Sequence, residues 1–153
     1  MNSTEAEDKL INELRKAGFI SDLSKEIVNH IYRKLLINAV INPLTAIWRI
    51  PNGDLLATSK RVDMMKNLFT EGTAVYDACG VRWDHDLWDQ IISVCENTAP
   101  NTSSMLKDVR EGNLTEVQWI NGSIVKLAQS RGLNANYHKM LVQLIEGIEV
   151  KEG

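Results

Sequence analysis

The sequence predicts an all-α protein of six or seven helices. Three observations carry this reading. Apolar residues recur at helical spacing along nearly the whole chain, capping residues and glycine stops punctuate them, and no stretch alternates apolar and polar residues over more than a few positions. The length of 153 residues suits one compact domain.

Taken in order, Thr4-Glu5-Ala6-Glu7 reads as a capping box. Leu10, Ile11, Leu14 and Ala17 follow on one helical face, and Gly18 supplies a stop. After a break over 19–23, Ser24 is a candidate cap for a long second helix reaching about Asn42. Its apolar set is Ile27, Val28, Ile31, Leu35, Leu36, Val40 and Ile41. Pro43 disfavours helical geometry at Asn42, so the helix is expected to end or kink there. Pro51-Asn52-Gly53-Asp54 is a turn signature. Further helices are expected over 59–79, ending at Gly80, and over 86–97. A loop at 98–102 leads to Ser103 or Ser104, either of which can cap a short helix to Gly112. Two last helices are expected over 115–131 and 137–148, parted by Gly132. Asn121-Gly122 marks a candidate close helix crossing.

Composition removes several function classes. Hydrophobic residues make up 44% and charged residues 24%, as in an ordinary globular protein. Nine Gly and three Pro exclude a collagen-like or low-complexity chain. Two cysteines, Cys79 and Cys95, are too few for a disulfide scaffold and read as small core residues. Seventeen basic against twenty acidic residues give a net charge of −3, which argues against a dedicated nucleic-acid binder. The acidic N-terminus has no signal-peptide pattern, and Asn38, Asn42 and Pro43 interrupt the most apolar stretch, so no membrane span is expected. The expectation is a cytoplasmic protein with reduced thiols.

The catalytic signatures that can be read from spacing are missing. There is no Gly-x-Gly-x-x-Gly, no phosphate-cradling lysine loop and no nucleophile elbow. His30, His85 and His138 are scattered without metal-ligand spacing. Asp84, Asp86 and Asp89 surround His85 but lack the glycine-bearing loop of a calcium site and read as a solvated loop. Trp48, Trp83, Trp88 and Trp119 read as core or interface anchors.

One pattern on the second helix stands out. Lys34, Asn38 and Asn42 are spaced i, i+4 and i+8, and at about 100° per residue they share one stripe. Their neighbours Leu35, Leu36, Ile37, Val40 and Ile41 are apolar. A polar stripe on such a helix either faces solvent or awaits a ligand, because buried amides and ammoniums need partners. Spacing by itself favours the solvent-facing reading. Ser103-Ser104 and Thr115-Glu116 likewise have local explanations, as a helix cap and as an acidic residue at a helix N-terminus.

Several strings together resemble one family. Lys34-Leu35-x-x-Asn38-x-x-x-Asn42-Pro43-Leu44-Thr45-Ala46 resembles the first motif of ketopantoate reductases. Pro51-Asn52-Gly53 is similar to the turn that follows it. Ser103-Ser104-Met105-Leu106-x-Asp108, then Thr115-Glu116 twelve residues beyond Ser104, then Ile120-Asn121-Gly122, resemble the second motif. The likeness spans about residues 3–145. Asn113 and Gln118 stand where the family often has Arg and Asp, and Ala135-Asn136-Tyr137-His138 stands where it often has Thr-Pro-x-Asn.

The resemblance implies the C-terminal domain of a two-domain enzyme, with the helical fold of 6-phosphogluconate dehydrogenase C-terminal-like domains. Residues 1–22 would be the closing helix and linker of a Rossmann domain otherwise missing from this chain, and 23–153 the substrate-binding domain. NADPH would be bound mainly by that missing domain in cis. The implied activity is NADPH-dependent reduction of 2-dehydropantoate to pantoate, in pantothenate and coenzyme A synthesis, with the isolated chain inactive. Lys34 would be the general acid. Asn38, Asn42, Asn52 and Ser104 would bind substrate, and Glu116 would orient Lys34 or touch the nicotinamide ribose. No metal is implied. The alternatives are a reductase for another 2-keto acid, or a stand-alone helical module for dimerisation or partner binding; a homodimer is compatible with each.

Overall fold

The computed structural model describes residues 5–20 and 26–149. Among these, seven helices and one 3-10 turn occur and no strand. They are α1 (Glu5–Lys16), α2 (Ile27–Trp48), the 3-10 turn (Asn52–Leu56), α3 (Ser59–Cys79), α4 (Leu87–Asn97), α5 (Ser104–Glu111), α6 (Val117–Gln129) and α7 (Asn136–Ile148). The all-α expectation holds, and α3 has the expected bounds, with Gly80 in the left-handed region at φ 69°. The proposed caps Thr4 and Ser24 lie outside the described residues.

The bundle is built around α2. This helix touches every element from the 3-10 turn to α7. Its residues 39–46 are all buried. A helix apolar on all sides is stable only when surrounded, and α2 has no single wet face in this half. Leu36, Val40 and Leu44 meet a core that includes Leu68, Tyr76, Ile91, Leu106, Ile124 and Ile145, all fully buried or nearly so. The outer end differs. Ile27, Val28 and Ile31 are exposed, as are Leu10 and Leu14 on α1.

Of the two outcomes expected at Pro43, an end is ruled out: the helix runs on to Trp48 with Pro43 inside it. Proline has no N–H, so the carbonyl four residues back, Ala39 O, loses its helical donor. In a buried helix that orphan is costly. Asn121 of α6 fills the gap: its Nδ2 donates to Ala39 O at 3.0 Å. The same amide nitrogen lies 3.0 Å from His138 Nδ1. With Nδ1 accepting, the proton sits on Nε2, which is 3.1 Å from Leu68 O. Glu71 caps the start of α7 from α3, its carboxylate accepting from the N–H groups of Tyr137 at 3.0 Å and His138 at 2.9 Å.

The close crossing lies elsewhere than at Gly122. A Cβ on Gly122 would meet Gln118 of its own helix. At Gly72 of α3 a Cβ would collide with Leu36 Cδ1 of α2 and stand 3.3 Å from His138 Nε2. Glycine is therefore what lets α3 reach both α2 and the buried imidazole. Trp48, Trp83 and Trp88 pack half-buried on the core, but Trp119 is exposed. Cys95 is fully buried, and burial pushes its thiol up to about 11, which suits a core residue and not a nucleophile.

Two stability predictions follow from the Asn121 link. Asn121→Ala orphans Ala39 O and His138 Nδ1, at about 1–3 kcal/mol per buried group. It is expected to cost about 2–5 kcal/mol in urea unfolding, and Pro43→Ala in the same chain, by restoring an N–H, is expected to recover part of that loss. Burial also pushes the His138 imidazole down to about 4 from its ordinary 6.5. The folded state thus favours the neutral ring. The associated stability is complete above pH 6.5 and is lost as pH falls toward 4, because the unfolded chain takes up the proton first. Urea midpoints measured across that range should fall for the wild type and fall less for His138→Asn.

Candidate functional site

The stripe on α2 runs from water into the core. Lys34 is exposed, Asn38 half-buried and Asn42 buried. None of the three side chains has a hydrogen-bond or ion-pair partner among the described residues. For Lys34 that is unremarkable. For Asn42, 8% exposed on the most enclosed helix of the bundle, it is a polar group whose partner must come from outside these residues.

The C-terminal half of α2 leads to the other candidates. Thr45 is fully buried. Its hydroxyl donates to Asn42 O at 2.8 Å and pairs with Ser103 Oγ at 2.7 Å. Ser103 Oγ also accepts from Leu106 N at 3.1 Å, so Ser103 is the cap of α5. That leaves Ser104, the next residue, exposed at the helix start with its hydroxyl unspent. The helix N-terminus adds free N–H groups beside it, which suits a carboxylate.

Asn52 opens the 3-10 turn and is buried. Its Nδ2 donates to Thr98 Oγ1 at 2.8 Å, and its backbone N–H donates to Asn101 O at 3.0 Å. Gly53 N–H donates to Ala99 O at 3.1 Å, and a Cβ on Gly53 would overlap Ala99. The turn therefore docks on the loop that feeds Ser103 and Ser104. Asn52 Oδ1 is buried with no partner. Thus the Thr45–Ser103 bond ties α2 to the start of α5 next to Ser104, and Asn52 docks on the loop that leads there, while Asn42, Asn38 and Lys34 run back along α2 toward solvent.

Glu116 shares no hydrogen bond or ion pair with these residues. It sits at the N-cap position of α6, exposed, with no capping hydrogen bond from its side chain. It makes no ion pair with Lys34. The preceding Thr115 is tied to the end of α7, its N–H and hydroxyl both donating to Glu149 Oε1, at 3.0 and 2.7 Å. Gln118, a departure from the family pattern, bonds Glu146 Oε1 at 2.7 Å. No group of three potential metal ligands occurs among the described residues, and no described helix is long and apolar enough to cross a membrane.

Sequence reasoning missed Thr45, Ser103 as the sole cap, Asn121 and His138. Asn121 had a legible signal, since an amide amid Val117, Ile120, Ile124 and Val125 must find a buried partner. His138 had none, because its partner lies on another helix.

The fold is similar to the helical half of solved reductase and dehydrogenase structures. A ketopantoate reductase structure from Ralstonia eutropha JMP134 superposes with a TM-score of 0.89 at 27% identity, covering 95% of this chain and 49% of that one. A D-mandelate dehydrogenase structure with NADH and anilino(oxo)acetate gives 0.80 at 25% identity, over 96% and 50%. The 2-dehydropantoate 2-reductase of Archaeoglobus fulgidus is 35% identical over 136 residues, 89% of this chain and 46% of that protein. Residues 26–149 match the family model for the ketopantoate reductase PanE/ApbA C-terminal domain, and the chain belongs to that family. It spans about half the length of the relatives it matches.

The two serines separate scaffold from surface. Ser103→Ala is expected to cost about 1–2 kcal/mol by removing a cap and the second partner of the Thr45 hydroxyl. Ser104→Ala is expected to stay within about 0.5 kcal/mol of wild type. Chemical denaturation of the two variants checks the contrast.

Proposed function

We propose that this chain is the substrate-binding and proton-donating half of an NADPH-dependent 2-dehydropantoate 2-reductase. The observation that carries this is the unpartnered line Lys34, Asn38 and Asn42, which runs into the enclosed half of α2, where Thr45 bonds Ser103, the neighbour of Ser104 at the α5 N-terminus. A 2-keto acid bearing a hydroxyl has matching groups: a carboxylate for the α5 N-terminus and Ser104, a keto oxygen for Lys34, and a hydroxyl for the amides.

Reduction of the ketone needs a hydride on carbon and a proton on oxygen. The nicotinamide cofactor supplies the hydride when bound. To that cofactor we assign the exposed Glu116 carboxylate, which would accept from ribose hydroxyls; no phosphate cradle is present among the described residues. Lys34 donates its Nζ proton to the keto oxygen as negative charge builds there, and the remaining ammonium charge before transfer stabilises that oxygen. The amine then regains a proton from water. Lys34 is exposed in this chain, so a second wall is needed to exclude water and strengthen the interaction. A dinucleotide-binding domain closing over the stripe provides it.

A second reading keeps the reaction and changes the substrate. It is supported by the likeness to the D-mandelate dehydrogenase structure and by the departures at Asn113 and Gln118. A panel of 2-keto acids, each with NADPH and NADH, distinguishes the two.

In the two-domain enzyme, Lys34→Ala is expected to lower kcat by about 10²–10⁴-fold, the usual span of a general acid. Asn38→Ala and Ser104→Ala are expected chiefly to raise KM. The isolated chain is expected to oxidise no NADPH with 2-dehydropantoate. A near-wild-type kcat for Lys34→Ala contradicts the assignment.

A further inference from the structure

Three of the candidate residues, Asn38 and Asn42 on α2 and Ser104 on α5, carry or adjoin a pinned group. Asn38 precedes Ala39, whose carbonyl is held by Asn121 Nδ2 at 3.0 Å. Asn42 precedes Pro43, and its own carbonyl is held by Thr45. Ser104 follows Ser103, which is bonded to Thr45. The pins belong to two different bodies. Thr45 and Ser103 tie the C-terminal part of α2 to α5. Asn121 ties the part before Pro43 to α6, and His138 extends that tie to α7 and α3.

Pro43 lies between the two parts, where the helical ladder lacks a bond. A proline inside a helix is where bending is cheapest, so the angle there depends on what holds Ala39 O. Asn121 can hold it only with its nitrogen turned that way. Asn121 Oδ1 is buried with no partner, so nothing on the oxygen side fixes the amide. His138 Nδ1, as an acceptor, is the group that does. A flipped amide would set oxygen against oxygen at Ala39. Gly72, lacking a side chain, gives the imidazole its place.

We propose that Asn121 and His138 are positioning residues for the stripe: through the Ala39 carbonyl they set the angle at which Lys34 and Asn38 meet Asn42 and Ser104. The proposal rests on the reading of that stripe as the substrate site. Neither residue touches substrate. Their effect on the reaction comes from the alignment of a proton donor with a bound keto acid, where an error near 1 Å can cost about 100-fold.

The test uses the two-domain reductase, assayed below each variant's unfolding midpoint. Asn121→Ala is expected to lower kcat by about 10–100-fold. Pro43→Ala in the same chain returns an N–H to Ala39 O and is expected to bring kcat back to within about threefold of the Pro43→Ala single variant. At position 138 the two isosteres should part. His138→Asn keeps an acceptor where Nδ1 stands and is expected to retain kcat. His138→Gln keeps only a donor where Nε2 stands and is expected to lose it by about tenfold or more. Backbone amide exchange over 38–42 is measured in parallel and needs no activity; Asn121→Ala or, where that chain does not fold, His138→Gln should speed it about tenfold relative to 45–48. Folded variants with unchanged kcat and unchanged exchange overturn the proposal, as does recovery of stability by Pro43→Ala without recovery of kcat. A wild-type enzyme that turns over no 2-keto acid overturns the site reading instead, and the exchange measurement still decides the role of Asn121.

Discussion

The missing N–H of Pro43 is the constraint around which the bundle is arranged. A buried carbonyl without a donor is costly, and α2 is the helix every other packed element touches. The solution is a side chain from α6 reaching Ala39 O, held in turn by an imidazole from α7 that bonds α3. Four helices are thereby joined through one polar thread in an apolar core. Such a thread specifies packing that apolar contacts alone leave degenerate, because each group has one partner that satisfies it.

The polar stripe of α2 differs from this thread in how its groups are met. Asn121, His138, Thr45 and Ser103 all find partners inside the bundle, and they are scaffold. Lys34, Asn38, Asn42 and Ser104 find none among the described residues, and they line up along α2 and its joint with α5. On the proposed reading, the division between spent and unspent polar groups separates what holds the domain together from what is left for a ligand. Membership in the ketopantoate reductase family, with the chain spanning about half of its relatives, agrees with a domain that supplies one wall of a site.

Much of the fold was legible because local signals coincide with it. Thr58 and Gly80 bracket α3, and Ser103 and Gly112 bracket α5, so helical period and cap chemistry agree. Pro43 misled because the rule against interior proline assumes that the orphaned carbonyl stays orphaned; a residue 82 positions away repairs it. Gly122 misled for a similar reason, since a glycine's neighbours are tertiary and the close crossing fell at Gly72. In the site, the i, i+4, i+8 stripe was readable from helix geometry. Which of Ser103 and Ser104 was spent on the cap was not, because it depends on Thr45 of another helix. The relation of Glu116 to the stripe was not readable either, being set by loop geometry at 112–116.

The central claim is that the unspent residues of α2 and α5 bind a 2-keto acid. Nitrogen-15 spectra of the chain titrated with 2-dehydropantoate test it directly. The account predicts shifts in the side-chain amides of Asn38 and Asn42 and the backbone amide of Ser104, while the buried amide of Asn121 stays put. Shifts confined to other surfaces, with the stripe unmoved at saturation, would contradict it.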